Sequence, residues 1–122
     1  MKVLLGIGGS EDSLRALEET VERSIDAGDS LTIALLENPQ SDMSLDEVES
    51  RVGEVLDVYD VDADVLALEG HPGSRLVDHA EQEGFEMIVL GGGETSPMGK
   101  ITVGQIAEFV LLNSHVTVKL VR

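Results

Sequence analysis

Short apolar runs alternate along this chain with stretches whose apolar residues recur every three or four positions. Val3-Leu4-Leu5-Gly6-Ile7 is a continuous apolar run closed by Gly8-Gly9. That is the pattern of a strand buried on both faces, and it predicts a central place in a parallel sheet. Ser10 then offers a helix N-cap, with Glu11 and Asp12 suited to the positive end of the helix dipole. Leu14, Leu17, Val21 and Ile25 follow at helical spacing until Gly28 stops the helix.

The alternation repeats. Residues 31–36 read as a second buried strand, and after Asn38-Pro39 the segment Ser44-Leu45-Asp46-Glu47 forms a capping box ahead of Val48, Val52, Val55 and Tyr59. Residues 61–68 carry Asp62 and Asp64 on one side, as expected of a strand near a sheet edge whose charges discourage further pairing. Pro72 suits the first position of a helix bearing Leu76, Val77 and Ala80, with Gly84 as its stop. Residues 87–90 form the fourth strand. Residues 91–103 read as a long loop, Thr102 and Gln105 as the capping box of a helix carrying Ile106, Ala107, Phe109, Val110 and Leu111, and residues 116–121 as the last strand. The order βαβαβαβαβ implies right-handed crossovers and a doubly wound parallel sheet, with any ligand beyond the carboxyl ends of the strands at the switch point. No repeat, linker or low-complexity segment interrupts residues 1–122, so one domain is expected.

Composition narrows the function. Twenty-four acidic residues against eight basic ones give a formal net charge of −16, a field that repels DNA, RNA and anionic membranes. One tyrosine, two phenylalanines and no tryptophan leave no stacking platform for bases. The acidic residues are spread along the whole chain. Such a surface is expected in the high-salt cytoplasm of a halophilic prokaryote, where dissolved ions screen its self-repulsion. The absence of cysteine removes thiol catalysis and thiolate metal sites. No stretch approaches the roughly 20 apolar residues of a membrane span, so the expected location is the cytoplasm.

Few motifs carry chemistry. His71, His79 and His115 offer neither an i, i+4 metal pair nor a nucleophile partner, so no metal site and no catalytic residue is expected. His71 reads as a loop or cap residue, His79 as a helix-surface residue and His115 as a turn residue. Gly6-Ile7-Gly8-Gly9-Ser10, with Glu37 ending the second strand, looks superficially like a dinucleotide fingerprint, but the third glycine falls at Glu11, a carboxylate where pyrophosphate approaches. Gly99-Lys100 hints at a phosphate loop whose spacing puts Glu94 at the first glycine and Ile101 at the magnesium-binding hydroxyl. A response-regulator receiver needs acidic residues where this chain has Gly8 and Gly9.

One resemblance spans essentially the whole chain. Met87-Ile88-Val89-Leu90-Gly91, a glycine-bearing loop, Gly99-Lys100, Gly104, a helix and Val116-Thr117-Val118 resemble the C-terminal half of a universal stress protein. The stretch from Gly9-Ser10-Glu11-Asp12 to Leu17 and the turn Gly70-His71-Pro72 are similar to that family as well. The resemblance implies a three-layer α/β sandwich on a five-stranded parallel sheet of order 3-2-1-4-5, the adenine-nucleotide α-hydrolase-like fold.

Members that bind ATP carry a G-x-x-G-x9-G-[ST] loop. Gly91 and Gly104 match its first and last glycines, whereas Glu94 stands at the middle glycine, Gln105 at the final hydroxyl and Gly8 at the aspartate usual after the first strand. A carboxylate about 4 Å from a phosphate costs roughly 4 kcal/mol at an effective dielectric near ~20. Gly93 replaces the middle glycine if the loop slips by one residue, and Lys100 offsets Glu94. Any nucleotide would therefore be held by Gly8, Leu36, Gly91, Gly93, Lys100, Gly104 and Gln105.

The expectation is a non-enzymatic stress-response domain with a degenerate ATP loop and no resident cofactor. It acts as a homodimer through its last strand, where Val116, Val118 and Leu120 alternate with Thr117, Lys119 and Val121. Two alternatives stay open: an ATP-binding switch or slow ATPase, and a binder of another small ligand in the same crevice.

Overall fold

The apolar runs become strands and the periodic stretches helices. The computed structural model describes residues 1–38, 43–91, 94, 95, 101, 102 and 104–121. In chain order the elements are β1 (Lys2–Ile7), α1 (Glu11–Ala27), β2 (Ser30–Leu36), α2 (Leu45–Tyr59), β3 (Asp64–Leu68), α3 (Pro72–Gln82), β4 (Met87–Gly91), β5 (Glu94–Thr95), β6 (Ile101–Thr102), α4 (Gln105–Asn113) and β7 (Thr117–Val121). The main sheet has the order β3-β2-β1-β4-β7, every pair parallel. Counting its five strands alone, this is the expected 3-2-1-4-5, with β1 in the centre.

The core divides between the two faces of the sheet. Val3, Leu5, Ile7, Leu31, Ile33 and Leu35 pack with Ala16, Leu17 and Val21 of α1 and with Val48 and Val52 of α2. Leu4, Ala34, Leu36, Ile88 and Leu90 pack with Leu76, Val77 and Ala80 of α3 and with Ala107 and Val110 of α4. Alternate side chains of one apolar run thus serve opposite layers, which is why the central strands need no polar face. Gly6 belongs to the α3 side: a Cβ there would come within 2.8 Å of Leu90 Cδ2 and 2.9 Å of Leu76 Cδ2.

Local chemistry starts and stops the helices as read, with one exception. Ser10 Oγ accepts from the Ser13 amide at 3.1 Å, and Ser44 Oγ from the Glu47 amide at 3.2 Å. The His71 imidazole caps α3 by accepting from the Ser74 amide at 3.1 Å, with Pro72 in the first turn. Gly28 closes α1 at φ 69°. The exception is α4, whose N-cap is Gly104 with no side-chain capping bond. The expected Thr102 and Gln105 box is not formed, because Thr102 is paired in β6 and the helix begins only at Gln105.

Two further boundaries differ from the sequence reading. Within residues 91–103, read as loop, Glu94 pairs with Thr102 and Thr95 with Ile101 in an antiparallel ladder. Strands of two residues carry no periodicity to detect. The third strand begins at Asp64, not at 61, because Asp60 adopts φ 52° as the C-cap of α2 and the Val61 amide donates to Leu56 O at 3.1 Å. These residues are spent leaving the helix.

Candidate functional site

A crevice of about 360 Å³ opens at the carboxyl ends of β1 and β2, lined by Gly8, Leu36, Glu37, Asn38, Met43, Leu45 and Val48. Its size falls in the range of small-molecule sites. After Ile7 the chain leaves the sheet through Gly8 and through Gly9, whose φ of 80° turns it into α1. After Leu36 it leaves toward α2, and Leu45 and Val48 in the first turn of that helix form an apolar wall together with Met43. The polar lining comes from the residues just past β2, Glu37 and Asn38.

Asn38 reaches back across the crevice. Its Nδ2 donates to Gly8 O at 3.0 Å, a half-buried bond between residues 30 positions apart. A Cβ built on Gly8 would lie 3.3 Å from that Nδ2 and 3.5 Å from Ile106 Cδ1, so the first turn of α4 also closes over the end of β1. Gly104 and Gln105, just before Ile106, are exposed at the start of that helix. Gly104 O accepts from the Glu108 amide at 2.9 Å, and the N-cap itself, a glycine, offers no side-chain capping bond.

The structure brings some of the expected site residues together and leaves others apart. Gly8 and Leu36 line the crevice, and Gly104 and Gln105 lead into Ile106 beside it. Gly91 ends β4, and its register partner is Val121 of β7. Gly93 and Lys100 lie outside the described residues, and for Glu94 only the backbone pairing in β5 is described.

The switch point lies between β1 and β4, yet the crevice sits one strand over, above β1 and β2. Reasoning from the glycine loop therefore missed Asn38, Met43, Leu45, Val48 and Ile106. The available signal was position, since residues directly after two adjacent parallel strands face the same end of the sheet. Among the described residues, no group of three or more His, Asp or Glu could hold a metal ion, and no helix is long and apolar enough to cross a membrane.

A doubly wound parallel sheet with an apolar-walled crevice at its carboxyl end and a glycine-capped helix beside it defines an α/β domain of the class whose ligand sites lie beyond the carboxyl ends of the strands. The chain belongs to the universal stress protein family, whose model matches residues 1–122. It is 27% identical over 77 residues to the stress response protein NhaX of Bacillus subtilis, a match covering 63% of this chain and 46% of that protein. The chain thus spans less than half the length of that relative.

Among solved structures it is similar to a universal stress protein from Archaeoglobus fulgidus, with a TM-score of 0.74 at 20% identity, covering 100% of this chain and 98% of that one. It is equally similar to a universal stress protein in complex with cAMP, with a TM-score of 0.74 at 23% identity, covering 100% and 96%. A universal stress protein family protein from Arabidopsis thaliana with AMP bound has a TM-score of 0.67 at 17% identity, covering 99% and 90%. At these identities the likeness is one of fold.

Proposed function

We propose that this universal stress protein domain is non-catalytic and takes an adenine nucleotide of low phosphate count in the crevice at the ends of β1 and β2. The observation that carries the reading is the crevice itself. Leu36, Met43, Leu45 and Val48 supply apolar walls for a base, while Glu37 and Asn38 supply polar groups for hydroxyl and amine edges. The AMP and cAMP held by the similar structures support the same ligand class. Glu37 at the crevice, Glu94 at the middle glycine position of the family's ATP loop and a net charge of −16 weigh against a triphosphate.

Titration calorimetry with AMP, cAMP, ADP and ATP, with and without Mg²⁺, tests this. Saturable AMP binding is expected, with ATP weaker and selectively improved by Glu94→Gly. No heat with any of the four overturns the reading. The uncapped start of α4 at Gly104 favours a second reading, an ATP-binding switch or slow ATPase that uses those amides for phosphate. Phosphate release from ATP, lost on Gly104→Val, would replace the first reading with this one. A co-purifying metabolite of another class would identify a different occupant.

The proposed partner is a second copy of the chain, joined through β7. That strand is at the sheet edge, and Val116, Val118 and Leu120 are only partly buried against the core. Leu111 and Leu112 of the preceding helix are 45% and 76% exposed. An unpaired edge flanked by apolar side chains suits isologous pairing.

A further inference from the structure

We propose that the free edge of β3, together with the flank of α2 beside it, docks an extended segment of another protein in which apolar residues alternate with lysine or arginine. Among the described residues no strand lies beyond β3, so the backbone groups that point away from β2 are open to a further strand. The two faces of β3 are finished differently. Leu66 and Leu68 pack into the α3 and α4 layer. Val65 and Ala67 stand in register with Ile33 and Leu35 and so belong to the α1 and α2 face, yet both are exposed there. Val65, 39% exposed, is the one strand residue among the large apolar side chains that the described residues leave open.

The neighbouring helix leaves room at the same place. Right-handed crossovers set α1 and α2 in one layer with α2 on the β3 side. Val48 and Val52 turn α2 toward the core, and its right-handed winding then carries Gly53 to the flank facing away from α1 and toward β3. Gly53 is in mid-helix, where glycine is a poor choice. It has no positive φ, and a Cβ on it would meet nothing within 4 Å. Neither backbone nor packing within the chain calls for glycine there; close approach of a second backbone does.

Charge selects the occupant. Asp62, Asp64 and Glu69 follow the edge, and Glu49 lies one turn before Gly53, all exposed. The other edge, β7, carries Lys119 and no acidic residue. A second copy of the β3 edge would bring the same carboxylates to face these, which disfavours self-pairing. Asp64 and Val65 point to opposite faces of the strand. A docking strand therefore needs apolar residues on the face toward Val65, Ala67 and Gly53, and basic residues on the other, with main-chain bonds to β3 between them.

Fluorescence anisotropy with a short labelled peptide alternating lysine and valine, added to the intact chain, tests the proposal. Saturable binding that weakens with added KCl is expected. A peptide alternating glutamate and valine should not bind. The lysine and valine peptide rearranged into two blocks should bind about tenfold more weakly. Equal binding of the block peptide would mean general attraction to an acidic surface and overturns the proposal, as does no binding of the alternating one.

Two readings separate the site from a folding defect. Gly53→Gln should raise the urea midpoint, because open space receives the side chain, while weakening the alternating peptide about tenfold. A variant that is more stable and binds unchanged overturns the role of that flank. Amide hydrogen exchange on the intact chain should show peptide-dependent protection within residues 64–68. Protection confined to residues 117–121 overturns the assignment to β3. Growth in sedimentation beyond two copies, as β7 of one chain filling β3 of the next would give, makes the occupant a second copy and overturns it too.

Discussion

A Cβ on Gly73 would lie 2.7 Å from Cδ1 of Phe109 and 2.9 Å from its Cγ. The first turn of α3 and the middle of α4 therefore approach as closely as a glycine permits, with the His71 ring centroid 4.8 Å from that of Phe109. Gly73→Ala gains about 1 kcal/mol of helix propensity, but forces the half-buried Phe109 ring or the backbone to move at about 1–3 kcal/mol. We expect net destabilisation in urea denaturation, smaller when Phe109→Leu is made in the same chain.

Ser10 caps α1 through the Ser13 amide at 3.1 Å, at the turn that leads out of β1 beside the crevice. Ser10→Ala should cost about 1 kcal/mol, read as a lower urea midpoint at unchanged slope. Ser10→Asp should retain most of the stability, because a carboxylate accepts the same amide and suits the helix dipole.

Tyr59 links α2 to α1 by donating its hydroxyl to Glu22 Oε1 at 2.6 Å. That hydrogen bond to Glu22, with further contributions from burial and the nearby charges of Glu22 and Glu18, raises its phenol above the ordinary value of 10.0. A group raised in the folded state favours its protonated form there. Its stabilisation is thus complete below the unfolded value and is lost as pH climbs through the folded one. Tyr59 is the sole tyrosine and there is no tryptophan, so tyrosinate absorbance follows this one group. Glu22→Ala should move the midpoint down toward that of free tyrosine; an unchanged midpoint counts against the link.

A net charge of −16 on 122 residues makes self-repulsion a general destabilising term that dissolved ions screen. The melting temperature should rise with added KCl. A flat or falling dependence would remove the proposed adaptation to a high-salt cytoplasm.

Sedimentation equilibrium at physiological salt should return twice the chain mass if β7 pairs with its copy. A monomer across the accessible concentrations ends that proposal. Leu112→Glu, at a residue 76% exposed, should weaken association without lowering the stability of the protomer if α4 borders the interface.

Most of the fold is legible in the order of apolar and polar residues. Continuous apolar runs such as Val3 to Ile7 can be buried only on both faces, and Ser10, Ser44, Pro72 and Gly28 mark helix ends by local backbone chemistry acting within a few residues. Family membership was legible too, because Gly91 and Gly104 sit at recognisable spacing around a strand end. Where the signal was short it failed: the paired strands at Glu94–Thr95 and Ile101–Thr102 have no period, and Thr102 imitated a cap that its pairing in β6 forecloses.

The sequence by itself determined which segments are strands and helices and which faces they bury, since those depend on near neighbours and on the period of apolar residues. Only the tertiary structure decided what surrounds Gly8. Asn38 arrives from 30 residues away and Ile106 from another layer, and no spacing rule encodes either contact. The glycine looked like a flexible turn residue or a lost side chain. Packing makes it the space into which Asn38 fits, because the ends of β1 and β2 are brought side by side only when the whole sheet has formed.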